Sequence, residues 1–115
     1  MRLSVMLLSD PASGLHDRQA LTFLQAAHAS GHTLDTAFFY HNGALAALNS
    51  EPATRAAWTR LTDFGLRCIV CRSALARAGH AIERLPEPFH AGGLGDWIEA
   101  QTRSDRVLSF GVFSP

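Results

Sequence analysis

The chain contains no lysine: all ten of its basic residues are arginine. A Schiff-base lysine and the lysine of a phosphate-binding P-loop are therefore both excluded. Excess charge is missing too, since ten Arg balance ten Asp plus Glu. Binding to nucleic acid through counterion release needs a clustered positive surplus, so direct nucleic-acid recognition is not expected. Two cysteines in 115 residues make no disulfide framework. No apolar run is long enough to span a bilayer, and the opening Met1-Arg2 leads into only a short apolar stretch over residues 3–8 before Ser9, Asp10 and Pro11. The expectation is a soluble cytoplasmic protein with no membrane partner. What the chain does have is 47% apolar residues. At this size a folded chain hides roughly two thirds of the surface it would otherwise expose, enough for one core across residues 1–115 without metal or disulfide.

The apolar pattern alternates between strand and helix. Residues 3–8 form a short apolar run closed by the Asp10-Pro11 and Ser13-Gly14 turn signals, as in a buried parallel strand. Ala20, Phe23, Leu24 and Ala27 recur at helical spacing, which predicts a helix over 17–29 ending before Gly31. Residues 33–39 are rich in β-branched and aromatic types and run to the turn pair Asn42-Gly43, so they read as a strand. Residues 44–48 make one helical turn or two. Pro52 suits a first helical position, and Ala57, Trp58, Leu61 and Phe64 line one face before Gly65. Residues 66–70 form a third strand and 72–78 a short helix leaving it. The stretch 84–95, with two prolines and three glycines, reads as loop with a short edge strand around Phe89. Asp96 opens a helix whose Leu94, Trp97 and Ile98 face one way, and 106–110 is the last strand.

This order predicts a three-layer α/β/α domain built on a mostly parallel sheet of four to five strands. Sites in such folds lie beyond the carboxyl ends of the strands, which selects the loops 9–16, 40–43, 71–73 and 92–96.

Cys68 and Cys71 share the Cys-x-x-Cys spacing of redox dithiols. In an extended strand, however, three residues advance about 10 Å and odd spacing sends the side chains to opposite faces. A disulfide needs Cα atoms within about 7 Å. Cys68 therefore reads as a core residue. Cys71 stands where strand gives way to helix, so unpaired helix N–H groups, the positive end of the dipole, and Arg72 with Arg77 all favour its thiolate. The other reading of Cys71 is a small apolar residue filling the top of the core.

The six histidines divide similarly. His16, His28 and His32 read as solvated residues near helix or loop ends. His41 lies beyond the second strand, on the rim that Cys71 occupies, and reads either as a partner for the thiolate or as a surface turn residue. His80 and His90 flank the Pro-rich loop, but with Cys71 they lack the paired spacing of zinc sites, so no metal is expected. Gly92-Gly93-Leu94-Gly95 lacks the dinucleotide-binding pattern, and a close backbone approach that lets this loop pass beside Cys71, with Gly93 and Gly95 near the site, explains it as well as anion binding does. Asp63, Glu83 and Glu99 read as a helix end, a loop and an exposed helix face, with no pair spaced for acid–base work.

Three stretches, taken together, resemble the DsrE/TusD family of sulfur-relay proteins. They are Phe38-Phe39-Tyr40-His41-Asn42-Gly43; Cys71 with the following Arg72-Ser73-Ala74-Leu75-Ala76-Arg77-Ala78-Gly79; and the closing Gly93-Leu94-Gly95-Asp96-Trp97-Ile98-Glu99-Ala100 with Asp105-Arg106-Val107-Leu108-Ser109-Phe110. Residues 20–32, with their Gly-His exit, also fit the family's first helix. The resemblance implies that Cys71 carries a persulfide, accepted from an upstream sulfur-donor protein and passed to a downstream acceptor protein, with no cofactor. Arg72, Ser73 and His41 would support it. In the family the relay serves thiolation of the tRNA wobble uridine or sulfur oxidation, within hexamers of sister subunits. Here the segment between the Cys71 helix and Gly92 is shorter, with the acidic stretch reduced to Ile82-Glu83-Arg84, and the loop after Gly43 is trimmed. Partners are thus expected to be a donor, an acceptor, and either sister subunits or further copies of the chain. Trp58, Trp97, Phe110 and Phe113 add an expectation of leftover apolar surface. The alternatives are a silent assembly subunit of such a complex and a small-ligand-binding module using residues 92–96.

Overall fold

Backbone hydrogen bonding draws the apolar segments into one five-stranded parallel sheet. The computed structural model describes residues 1–8, 14–80 and 85–111. In chain order the elements are β1 (Arg2–Leu7), α1 (Leu15–Ala29), β2 (Thr33–Phe39), α2 (Asn42–Leu48), α3 (Pro52–Thr62), β3 (Arg67–Cys71), α4 (Arg72–Arg77), β4 (His90–Gly92), α5 (Leu94–Arg103) and β5 (Arg106–Phe110). The strands lie in the order β4-β3-β2-β1-β5 and every pair is parallel. The expected α/β/α layering is therefore present, with five strands. The Asp10-Pro11 turn, Ser9 to Ser13 of the first loop, Ile82 to Arg84 and Phe113 lie outside the described residues.

Steps from β1 to β2, β3 and β4 all advance in one direction across the sheet. Right-handed crossovers then place α1, α2, α3 and α4 on one face, and the return to the far edge carries α5 across the other. Aromatic contacts mark the two faces. Phe39 meets Trp58 of α3 edge-on at 5.0 Å, whereas Phe38 stacks on Trp97 of α5 at 5.8 Å. Central strand β2 is buried over six of its seven residues, as a strand covered on both sides must be.

Several boundaries fall earlier than the apolar periodicity suggested. Helix α5 begins at Leu94, so Asp96 sits in its first turn and accepts a hydrogen bond from the Gly93 N–H at 2.9 Å. Acidic residues there satisfy amides that have no partner within the helix, which periodicity does not register. The predicted common face of Leu94, Trp97 and Ile98 is corrected: Trp97 is buried while Leu94 and Ile98 are exposed. Positions 94 and 98 share one side of the helix, and the sheet takes the side of Trp97 and Ala100. Both tryptophans lie in the core, so they leave no apolar surface over. Phe64 is past the end of α3, exposed, and stacked on His28 at 3.8 Å, which corrects the solvated reading of that histidine. His16 and His32 are half-buried, with His32 Nδ1 3.0 Å from the terminal amine.

The face covered by α5 alone holds a polar cluster. Pairing slips between Leu3 and Val5, whose partners are Leu34 and Ala37, so β2 carries one extra residue against β1. That irregularity lets Asp35, only 5% exposed, meet α5: Arg103 binds its carboxylate through two hydrogen bonds of 3.1 and 3.0 Å. Arg2 adds a third at 3.1 Å and the Thr36 hydroxyl a fourth at 2.7 Å. Burial by itself would raise the Asp35 carboxyl, but the hydrogen bonds from Arg103 and Thr36, with the charges of Arg103 and Arg2, outweigh it and hold it below the usual carboxylate value. A carboxyl depressed on folding contributes stability above its unfolded pKa and loses it as pH falls through the folded one. Asp35→Asn should cost about 2 kcal/mol at neutral pH. The same change should flatten the fall in stability below about pH 4. Urea unfolding of both proteins across pH 3–7 checks this; parallel curves would refute it.

Candidate functional site

Strand β3 ends by becoming helix α4 with no intervening loop. Cys71 is both the last residue of the strand, at φ −61° and ψ 116°, and the residue capping the helix. Helical geometry begins at Arg72, so the first-turn amides of α4 have no partner within the helix and cluster behind Cys71. Parallel pairing of Phe39 with Val70 brings the next residues, Tyr40 and Cys71, to the sheet edge together. On the other side Cys71 pairs with Gly92. Cys71 thus sits at the edge where the chain leaves β2, β3 and β4.

Two of those loops are shaped by close approach. A side chain at Gly43 would run into the carbonyl of Leu7, so only glycine lets α2 start against the end of β1. Gly43 N–H closes the turn on the Tyr40 carbonyl at 2.8 Å, and His41 inside it takes φ 55° and ψ −124°. A non-glycine residue held there stores roughly 1–3 kcal/mol of strain. At Gly92 an added Cβ would lie 2.5 Å from Ile69 Cγ2 and 2.6 Å from Asp96 Oδ2. The glycine loop was expected to make a close approach as a whole, with Gly93 and Gly95 near the site; the tight contact falls on Gly92 alone. A Cβ at Gly93 or Gly95 meets nothing within 4 Å, and Gly95 belongs to α5 rather than to a loop. Gly92 is the constrained position because it pairs with Cys71 beneath the first turn of α5.

The two cysteines part as the spacing argument requires. Cys68 is paired with Ala37 on the face of Phe39 and Val70, and alternation turns Cys71 to the opposite side. Both are free thiols. Burial pushes the Cys68 thiol up to about 12, so it stays protonated in neutral solution.

Cys71 is buried at 3% exposure, as its alternative reading as a small residue at the top of the core expects. The helix that follows it, α4, has six residues and buries only Ala74 and Leu75. Arg72 and Ser73 are exposed and make no hydrogen bond to Cys71 among the described residues. His41 is half-buried and borders a cleft of about 240 Å³ between α2 and α4, lined also by Asn42, Leu45, Ala74, Arg77 and Ala78. His41 thus lies two residues past the end of β2, at the same carboxyl edge of the sheet as Cys71, in a cleft whose lining does not include Cys71. The placement of Asn42 and Arg77 in this cleft was not read from the sequence as a site, because it depends on packing between two helices 30 residues apart. A larger cavity, about 460 Å³, lies at the amino-terminal end of the sheet among Met1, Leu3, Phe23, Ala27 and Val107, away from these groups. Among the described residues no three His, Cys, Asp or Glu side chains group around a metal-sized space, and no helix is long and apolar enough to cross a membrane.

Comparison with known proteins adds to this geometry. The pattern of the DsrE/DsrF-like family matches residues 1–110. A Pseudomonas aeruginosa protein named sulfurtransferase TusD homolog is 33% identical, with 96% of this chain and 98% of the relative covered. Sulfurtransferase TusD of Salmonella paratyphi B is 36% identical, covering 96% and 100%. Among solved structures, a Methanobacterium thermoautotrophicum protein of unknown function, MTH1491, superposes with a TM-score of 0.75 at 17% identity, over 94% of this chain and 97% of that one. The ychN protein of E. coli does so at 0.74 and 16% identity, over 96% and 100%. A junction of strand and helix that presents one cysteine, on a fold shared across this group and with full-length similarity to its sulfurtransferases, establishes the chain as a member of the DsrE/DsrF-like family.

Proposed function

We infer that the protein is a persulfide sulfurtransferase in a sulfur relay, and that Cys71 carries the sulfur. The observation that carries this reading is the position of Cys71, which ends a central strand and caps a helix at the carboxyl edge of the sheet. Its full-length similarity to proteins named sulfurtransferase TusD supports the same chemistry.

The exchange is balanced and needs no cofactor. The Cys71 thiolate attacks the terminal sulfur of a donor protein's persulfide; the new S–S bond forms at Cys71 as the old one breaks and the donor leaves as a thiolate. An acceptor protein's thiolate then attacks the terminal sulfur of the Cys71 persulfide, and Cys71 leaves as thiolate. The first-turn amides of α4 favour the anion formed at each exchange. Arg72 adds positive charge nearby, and Ser73 and the strained His41 turn are the supporting residues of this reading at the same edge of the sheet. Both steps require the sulfur to meet another protein, so the packing over Cys71, which is 3% exposed, has to open locally during the exchange. Donor, acceptor and sister subunits or further copies of the chain are the partners this reading calls for.

Incubation with inorganic polysulfide followed by intact-mass measurement should add one sulfur atom to the wild type and to Cys68→Ser, and none to Cys71→Ser. Loading that survives in Cys71→Ser would overturn the assignment. In native protein at pH 8, iodoacetamide should label Cys71 slowly and leave Cys68 unlabelled until the chain is unfolded, because burial keeps Cys68 protonated. Leu75→Ala should speed Cys71 labelling about tenfold or more, since removing a buried leucine weakens local structure by ~2 kcal/mol or more. An unchanged rate would show that α4 takes no part in the opening.

A further inference from the structure

We propose that Tyr40 determines which thiols the relay serves: its ring shields the Cys71 sulfur from small thiols, so that exchange waits for a contact large enough to move the ring. This rests on the sulfur-relay reading and adds to it the residue that sets acceptor specificity.

Tyr40 stands beside Cys71 and on the same side of the sheet. Its N–H donates to the Leu7 carbonyl at 2.9 Å, which carries the ladder of β2 one residue beyond Phe39. Phe38 pairs with Ile69 and Phe39 with Val70, so the next step in register sets Tyr40 against Cys71. Residues in register on adjacent strands lie about 4.8 Å apart and turn their side chains to one face. That face is the one α5 covers, since the Tyr40 ring stacks on Phe38 with centroids 6.0 Å apart and Phe38 stacks on Trp97. On its other flank Cys71 pairs with Gly92, which offers no side chain. Of its two neighbours across the sheet, Tyr40 is thus the one with a side chain to lay over the sulfur.

The row of rings leads outward. Trp97 is 6% and Phe38 0% exposed, whereas Tyr40 is half-buried, so Tyr40 is the member of the row that meets solvent. Cys71 beside it is buried. Turning the Tyr40 ring uncovers the sulfur by a side-chain rotation that leaves the sheet in place. Helix α5 is the less movable wall, because Arg103 ties it to the buried Asp35 through two hydrogen bonds. The exchange reaction offers no selectivity of its own. A small thiolate that attacks the terminal sulfur of the Cys71 persulfide leaves with that sulfur while Cys71 departs as thiolate, the same bonds made and broken as with an acceptor protein. Selection therefore comes from access, and a protein surface brings binding energy for moving the ring that a small thiol lacks.

The test loads each protein with polysulfide, adds 2-mercaptoethanol, and follows loss of the added sulfur by intact mass; a parallel arm measures iodoacetamide labelling of the unloaded thiols. Tyr40→Ala should lose sulfur, and label at Cys71, about tenfold faster or more than wild type, with Tyr40→Leu between them and Tyr40→Phe within about twofold of wild type. Phe23→Ala removes another half-buried ring, one that packs on Phe110 far from Cys71, and should keep the wild-type rates. Cys68 should stay unlabelled in every variant, which separates a moved shield from an opened fold. If Tyr40→Ala labels Cys68, Tyr40→Leu against Tyr40→Phe decides the question. Equal rates in wild type and Tyr40→Leu, the same gain in Tyr40→Phe as in Tyr40→Leu, or an equal gain in Phe23→Ala would overturn the proposal. Wild type that takes up no sulfur from polysulfide would instead remove the relay reading, and with it the acceptor specificity assigned to Tyr40, while the labelling arm still decides whether the ring covers Cys71.

Discussion

Parallel pairing of β2 with β3 is the constraint from which the rest of the molecule follows. Because the two strands run together to Phe39 and Val70, their next residues, Tyr40 and Cys71, emerge side by side at one edge. Each chain then has to turn away at once. The first does so through the strained His41 and the close contact of Gly43 with Leu7, the second by passing directly into α4. A thiol and a turn that carries an imidazole are brought together by the hydrogen-bond ladder, with no direct bond between them needed to hold the arrangement.

The two faces of the sheet are stabilised differently. One is covered by four helices and closed by Phe39, Trp58 and Phe89 in edge-on contact. The other has α5 alone, which cannot cover five strands, and here polar groups bury themselves by pairing: Asp35 with Arg2 and Arg103, and Ser4 with Ser104 at 2.7 Å. These bonds join the first strand, the second strand and the last helix, so they fix where α5 lies. Trp97 of that helix stacks on Phe38, which in turn stacks on Tyr40, and Asp96 shapes the loop against Gly92. The polar cluster at the amino end of the sheet thereby positions the loop that borders the thiol at the other end.

Burial of Cys71 and its chemistry pull in opposite directions. A persulfide in open water is exposed to any passing thiol, whereas one sealed in the core reaches no partner. A thiol buried at the very end of a strand, where a six-residue helix begins, lies between these extremes, because opening it takes only local disruption. Cys68, three residues earlier and inside the strand, is held protonated by burial and remains an inert thiol.

Local sequence determined the order of elements, the parallel class of sheet, the placing of Cys71 at a junction of strand and helix, and the separation of the two cysteines. Each depends on residues within one turn or strand of each other, where periodicity and turn chemistry are decisive. Only the tertiary structure decided the burial of Cys71, the assignment of Gly92 rather than Gly93 or Gly95 to the tight approach, the burial of both tryptophans, the Asp35 cluster and the groove that Arg77 lines. These depend on contacts between distant segments, 68 residues apart for Asp35 and Arg103. No local pattern marks an aspartate in an apolar strand as the partner of two arginines, because its burial is offset by charges that arrive only when the sheet and the last helix close on each other.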